Sequence, residues 1–126
     1  MSDLVEFLRA RLGEDEAVAL AATAGPWHKV DGGVTDLADA WPVSMTEYDN
    51  VDNDQADRAH IARHDPARVL ADVEAKRRII ADREHIDASA GDTEWHSGYS
   101  DGNYDALRAL ALPYADHPDY DESWRP

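Results

Sequence analysis

The chain has 126 residues, the length of one ordinary domain, and its 27 acidic against 12 basic side chains give a formal charge of −15. Hydrophobic residues make up 43%, but 21 of them are alanine, and Ile, Leu, Val and Phe together number only 22. So few large apolar side chains predict a small helical nucleus with loosely held loops, and the negative field argues against direct binding of nucleic acid.

There is no cysteine, which excludes disulfides, thiol nucleophiles and thiolate metal sites and leaves His, Asp and Glu as side-chain metal ligands. The opening Met1-Ser2-Asp3-Leu4-Val5-Glu6 is acidic, and no apolar run approaches the roughly 18 residues a membrane span needs. A cytoplasmic protein without membrane contact is expected.

Residues 3–24 read as a helix, with Asp3 as N-cap, Glu6 completing a capping-box-like pair, and Leu4, Leu8 and Leu12 at four-residue spacing. Gly25-Pro26 ends it. From Trp27 to Met45 the helical period disappears: Trp27, Val30 and Val34 surround Asp31-Gly32-Gly33, and Trp41-Pro42-Val43 follows, a pattern that predicts a two-stranded hairpin. Residues 47–57 read as a solvated acidic connector. A short helix over Asp57–His64 is broken at Asp65-Pro66, where a capping Asp before a proline at the first helical position restarts a helix running to about Asp87. That second helix carries Val69, Leu70, Val73 and Ile80 on one stripe, with Asp72/Lys76 and Glu74/Arg78 as acid-first pairs on the polar side. Residues 88–103, rich in Gly, Ser and Asp, read as a loop, and Tyr104–Leu112 as a last short helix ended by Pro113. The expected fold is therefore α+β and predominantly helical, a single small domain over 1–126, with 113–126 as an extended aromatic tail packed on it. Residues 58–85 hold seven basic and five acidic side chains, so the long helix bears the only non-acidic face, and its arginines are expected to meet acids from the first helix or the tail.

The order Thr23-Ala24-Gly25-Pro26-Trp27, Asp57-Arg58-Ala59-His60-Ile61-Ala62 and Asp65-Pro66-Ala67-Arg68-Val69-Leu70-Ala71-Asp72-Val73-Glu74 resembles small phage and prophage accessory proteins with a T-x-G-P-W turn. Ala24 departs from that group, where proline is common. The block His60–Leu70 and the ending Leu112-Pro113-Tyr114-Ala115-Asp116-His117-Pro118-Asp119-Tyr120 with Trp124-Arg125-Pro126 resemble, more closely, a small actinobacterial family of unknown function. The resemblance implies a setting of mobile or multicopy bacterial genes and transfers no catalytic residue.

Three constellations could carry chemistry. His60 and His64 share a helix face and Asp65 follows, a set able to hold Zn²⁺ or a similar divalent ion in a metal-binding protein or hydrolase. The zinc-protease pattern, however, needs Glu where Ile61 stands, and two imidazoles in a last helical turn also serve simply to meet free carbonyls. The acid-rich stretch Asn50, Asp52, Asp54 and the segment Asp101–Asp105 fail as calcium loops, because Gln55 and Ala106 occupy the glycine positions. Glu14, Asp15 and Glu16 point in different directions around a helix and converge poorly on one ion. No Walker-type loop and no G-x-S-x-G elbow occurs.

In the tail, Tyr114, Tyr120 and Trp124 alternate with Pro113, Pro118 and Pro126. These rings either complete the protein's own thin core or dock into a partner, and Trp27 stands under the same two readings. The expected function is that of a non-enzymatic accessory protein acting by protein–protein contact with an unknown partner, with Trp27, Tyr114, Tyr120 and Trp124 as anchors, no cofactor, and homo-oligomerisation open. The alternatives are the divalent-metal site at His60, His64 and Asp65, and an acidic DNA mimic.

Overall fold

The computed structural model describes residues 2–30, 33–36, 42–45, 54–89 and 94–126. Its elements are α1 (Ser2–Ala21), β1 (Trp27–Val30), β2 (Gly33–Asp36), β3 (Pro42–Met45), α2 (Asp54–Arg63), α3 (Pro66–Ala88), α4 (Glu94–Ala111) and two 3-10 turns, Leu112–Tyr114 and Glu122–Trp124. The protein is thus α+β and predominantly helical. Among the described residues no helix is long and apolar enough to cross a membrane. The chain forms two compact units, one of residues 1–14 with 73–126 and one of residues 15–72.

The first unit is closed by the expected Leu4, Leu8 and Leu12 stripe of α1, by Val73, Ile80 and Ile86 of α3, and by Leu107 and Ala111 of α4, all buried. Each set recurs at helical spacing, so each helix turns one apolar line inward. The α3–α4 seam is also polar. The Arg83 guanidinium, 3% exposed, donates to Asp87 Oδ1 at 2.9 and 3.1 Å and to Ser100 at its carbonyl (3.1 Å) and hydroxyl (2.9 Å), while Asn103 Nδ2 donates to the Ile79 carbonyl at 3.2 Å. These bonds explain why α4 begins at Glu94, where composition predicts a loop up to residue 103. Gly98 and Gly102 weaken the intrinsic helix, but tertiary hydrogen bonds and the Trp95–Tyr99 stack (centroids 5.6 Å apart) support its first turns. Arg78 pairs with Glu74, as the acid-first spacing predicts, and Arg83 pairs with Asp87 inside α3, while Arg9 of α1 pairs with Glu84 of α3.

The C-terminal segment, expected to be extended, contains the two 3-10 turns. Asp121 caps the second, accepting from the Ser123 N–H at 2.9 Å, and Arg108 donates to the Trp124 carbonyl at 3.0 Å. Tyr120 and Trp124 are buried around Phe7, with ring centroids 5.9 and 5.1 Å from it.

In the second unit β1 and β2 form the expected antiparallel hairpin, Trp27 opposite Asp36 and Val30 opposite Gly33. A third strand, β3, is added on the far side of β2, with an irregular register between Val34 and Thr35. Helix α2 packs on β1 and β2, and Val34 and Ala19 are buried. Trp41, most of the acidic connector, and Asn50 and Asp52 lie outside the described residues.

Two predictions follow from these contacts. Arg83→Lys keeps the charge but cannot bridge Ser100 and Asp87 together. It is expected to cost about 2 kcal/mol, read as a lower urea midpoint with unchanged slope. The Ser123 backbone and side-chain hydrogen bonds hold the Asp121 carboxyl below its ordinary value of 3.8. A depressed carboxyl stabilises the folded turn above that ordinary value and loses the contribution as pH falls through the lowered one. The Ser123 amide resonance should therefore shift with a midpoint below that ordinary value, and in Asp121→Asn the transition should vanish.

Candidate functional site

The Gly25-Pro26-Trp27 turn sits against the start of α3, and one carboxylate organises both. Asp65 Oδ1 accepts from the Arg68 N–H at 2.8 Å, the expected N-cap bond to the third helical residue, and Oδ2 accepts from the Trp27 N–H at 2.7 Å. Asp65 is buried, so both bonds are shielded from water. The Gly25-Pro26 peptide is cis. A Cβ on Gly25 would lie 2.9 Å from the Ala67 nitrogen and 3.0 Å from the Ala67 Cβ, which leaves only glycine able to approach this closely. The Trp27 indole is fixed in turn, its Nε1–H donating to the Thr23 carbonyl at 2.9 Å.

Held this way, Trp27 forms one wall of a hollow of about 270 Å³ whose other apolar walls are Val18, Ala19, Ala22, Pro66 and Val69, with Asp15 and His64 on its margin. Val18 is 72% exposed, and Leu20 nearby on α1 is also exposed. The first unit contains a larger hollow of about 420 Å³, rimmed by the carboxylates of Asp3, Glu6, Asp119 and Asp121 and walled by Arg11, Phe7 and Trp124. Its charged rim favours water, whereas the smaller hollow is mostly apolar.

The anchors named from sequence are divided between the two units. Trp27 is half-buried beside its hollow. Tyr120 and Trp124 are covered by Phe7 and by each other, their centroids 5.6 Å apart, and Tyr114 meets Phe7 edge-on at 6.3 Å. His117 joins the same cluster, its Nδ1 accepting from Arg11 Nη1 at 2.7 Å and from the Asp119 N–H at 3.1 Å. Sequence reasoning missed Phe7 as the hub, although its place one turn before Arg11 and beside Leu4 and Leu8 marks it as inward-facing. It also missed Val18, which with Leu20 is an exposed aliphatic in an alanine-rich stretch.

His60 and His64 lie face to face at the end of α2, ring centroids 4.2 Å apart and planes 33° from parallel. His64 Nδ1–H donates to the His60 carbonyl at 2.9 Å. Asp65 turns away into its cap, and among the described residues no group of three or more His, Asp or Glu side chains is placed to hold a metal ion.

A model of a family of unknown function, DUF6221, matches residues 1–126. The chain belongs to that family. No curated protein and no solved structure matches it. For this DUF6221 member, the site geometry therefore carries the functional reading.

Asp65→Ala in this family member removes the cap and strands the Trp27 amide. It is expected to cost about 2–3 kcal/mol, with Asp65→Asn intermediate because only one of its side-chain oxygens remains an acceptor. Chemical denaturation followed by circular dichroism should report both; a loss below about 0.5 kcal/mol, the scale of a neutral surface change, would overturn the bridging role.

Proposed function

We propose that this protein is a non-enzymatic accessory protein that acts by protein–protein contact, and that it captures one bulky apolar side chain of a basic partner segment in the hollow beside Trp27. The observation that carries the reading is a mostly apolar hollow with the exposed Val18 on its edge and a tryptophan wall locked in place from both ends. Preorganisation of this kind reduces the ordering cost of binding, and Trp is the commonest energetic anchor in interfaces. The charge of −15 and the position of Asp15 on the margin favour a partner carrying Lys or Arg next to its apolar residue. Of the other candidate anchors, Tyr120 and Trp124 are buried and Tyr114 packs edge-on against Phe7, which favours Trp27 as the anchor offered to a second protein. The phage-like order of motifs is in keeping with an accessory role in mobile bacterial genes.

Selection of displayed random peptides on the purified protein tests this. Enriched sequences should pair one large apolar residue with two or more basic ones and lose at least about tenfold in affinity for Val18→Asp, a change at an exposed position that leaves the melting temperature unaltered. Peptides that bind Val18→Asp equally well, or that lack an apolar residue, overturn the reading. So does a dimer that Val18→Asp dissociates, which would assign the hollow to a second copy of the chain.

A further inference from the structure

From the neighbouring imidazoles at the end of α2, we propose that His60 and His64 form a two-imidazole site for a borderline divalent cation such as Zn²⁺ or Ni²⁺, its remaining positions filled by water. The two residues are one helical turn apart and both exposed, so an ion can reach them without displacing core side chains. His64 Nδ1–H is committed to the His60 carbonyl, which fixes the ring and leaves Nε2 as the lone-pair nitrogen. A backbone carbonyl holding the far nitrogen of a histidine is the usual way a metal ligand is oriented. A tetrahedral ion about 2.0–2.1 Å from each nitrogen sets those nitrogens roughly 3.3 Å apart. The rings at present lie one over the other, centroids 4.2 Å apart and planes 33° from parallel, so their in-plane lone pairs run side by side, and rotation of the exposed His60 side chain brings them together on one ion.

The ligand set is narrower than the sequence trio of His60, His64 and Asp65. Both Asp65 oxygens are occupied by the Trp27 and Arg68 amides, so the carboxylate is spent on the fold. Two nitrogen ligands with no carboxylate select Zn²⁺ and Ni²⁺ over Mg²⁺ and Ca²⁺, which require oxygen. The net charge of −15 concentrates divalent cations near the protein generally, so chemical selectivity, and not binding alone, marks the site. His64 stands on the margin of the hollow and His60 lies outside its lining, so His60→Ala, which leaves that lining whole, separates metal binding from partner capture.

Calorimetric titration of the full chain with Zn²⁺ or Ni²⁺ alone, in 0.15 M salt, tests it. One ion per chain is expected, with about tenfold or greater loss of affinity in His60→Ala and again in His64→Ala, no change in His85→Ala, and no matching event with Mg²⁺. Proton spectra of the imidazole rings should show His60 and His64 perturbed first. Binding that survives either substitution, that Mg²⁺ reproduces, or that is absent from the unaltered chain at millimolar metal overturns the proposal. Circular dichroism of both variants checks that they fold.

Discussion

A chain with one phenylalanine and 21 large aliphatics must close two compact units, and the structure meets this constraint in two ways. The first unit borrows aromatic area from the C-terminal segment. Phe7 stands where four rings converge, those of Tyr114, His117, Tyr120 and Trp124, at centroid distances from 5.1 to 6.3 Å. Rings of this size bury more apolar area per residue than any aliphatic, and edge-to-face contacts add a little beyond area. Trp124, 9% exposed, is thereby core although it lies in the second 3-10 turn, outside the helices.

The second unit has fewer large apolar residues and relies on directed polar contacts. A single buried carboxylate caps α3 and receives the amide of β1's first residue, so a helix start and a strand start share one anion. Charge-assisted bonds in a shielded place are about twice as strong as neutral ones, and a rigid result is expected. The functional reading depends on that rigidity, because an unfixed Trp27 would turn over the hollow instead of walling it.

Much of the fold is legible in the residues. The four-residue spacing of Leu4, Leu8 and Leu12 marks α1, and Asp65-Pro66 marks the restart of α3 together with the hydrogen bond that makes it. The hairpin is legible from the loss of helical period after Gly25-Pro26. The first two turns of α4 are not, because Gly98, Gly102, Ser97 and Ser100 have poor helix propensity, and what holds them is an arginine 17 residues upstream of Ser100. The third strand was hidden for a similar reason: four residues beginning with proline carry little pattern of their own. At the candidate site Trp27 and Asp65 were each singled out, but nothing local joins residues 38 apart. The fixed orientation of Trp27 therefore emerges only from tertiary structure.

The close approach at Gly25 bears on how this family can vary. The nearest atom to a hypothetical side chain there is the main-chain nitrogen of Ala67, which every amino acid possesses. Shrinking residue 67 to glycine would remove its Cβ and leave the obstacle standing. No compensating exchange at the neighbour can open the way for a larger residue at 25, and only displacement of the helix start itself could. Position 25 is in that sense closed to the paired, step-by-step drift by which most packed positions change, while the exposed margin around Val18 is open to it.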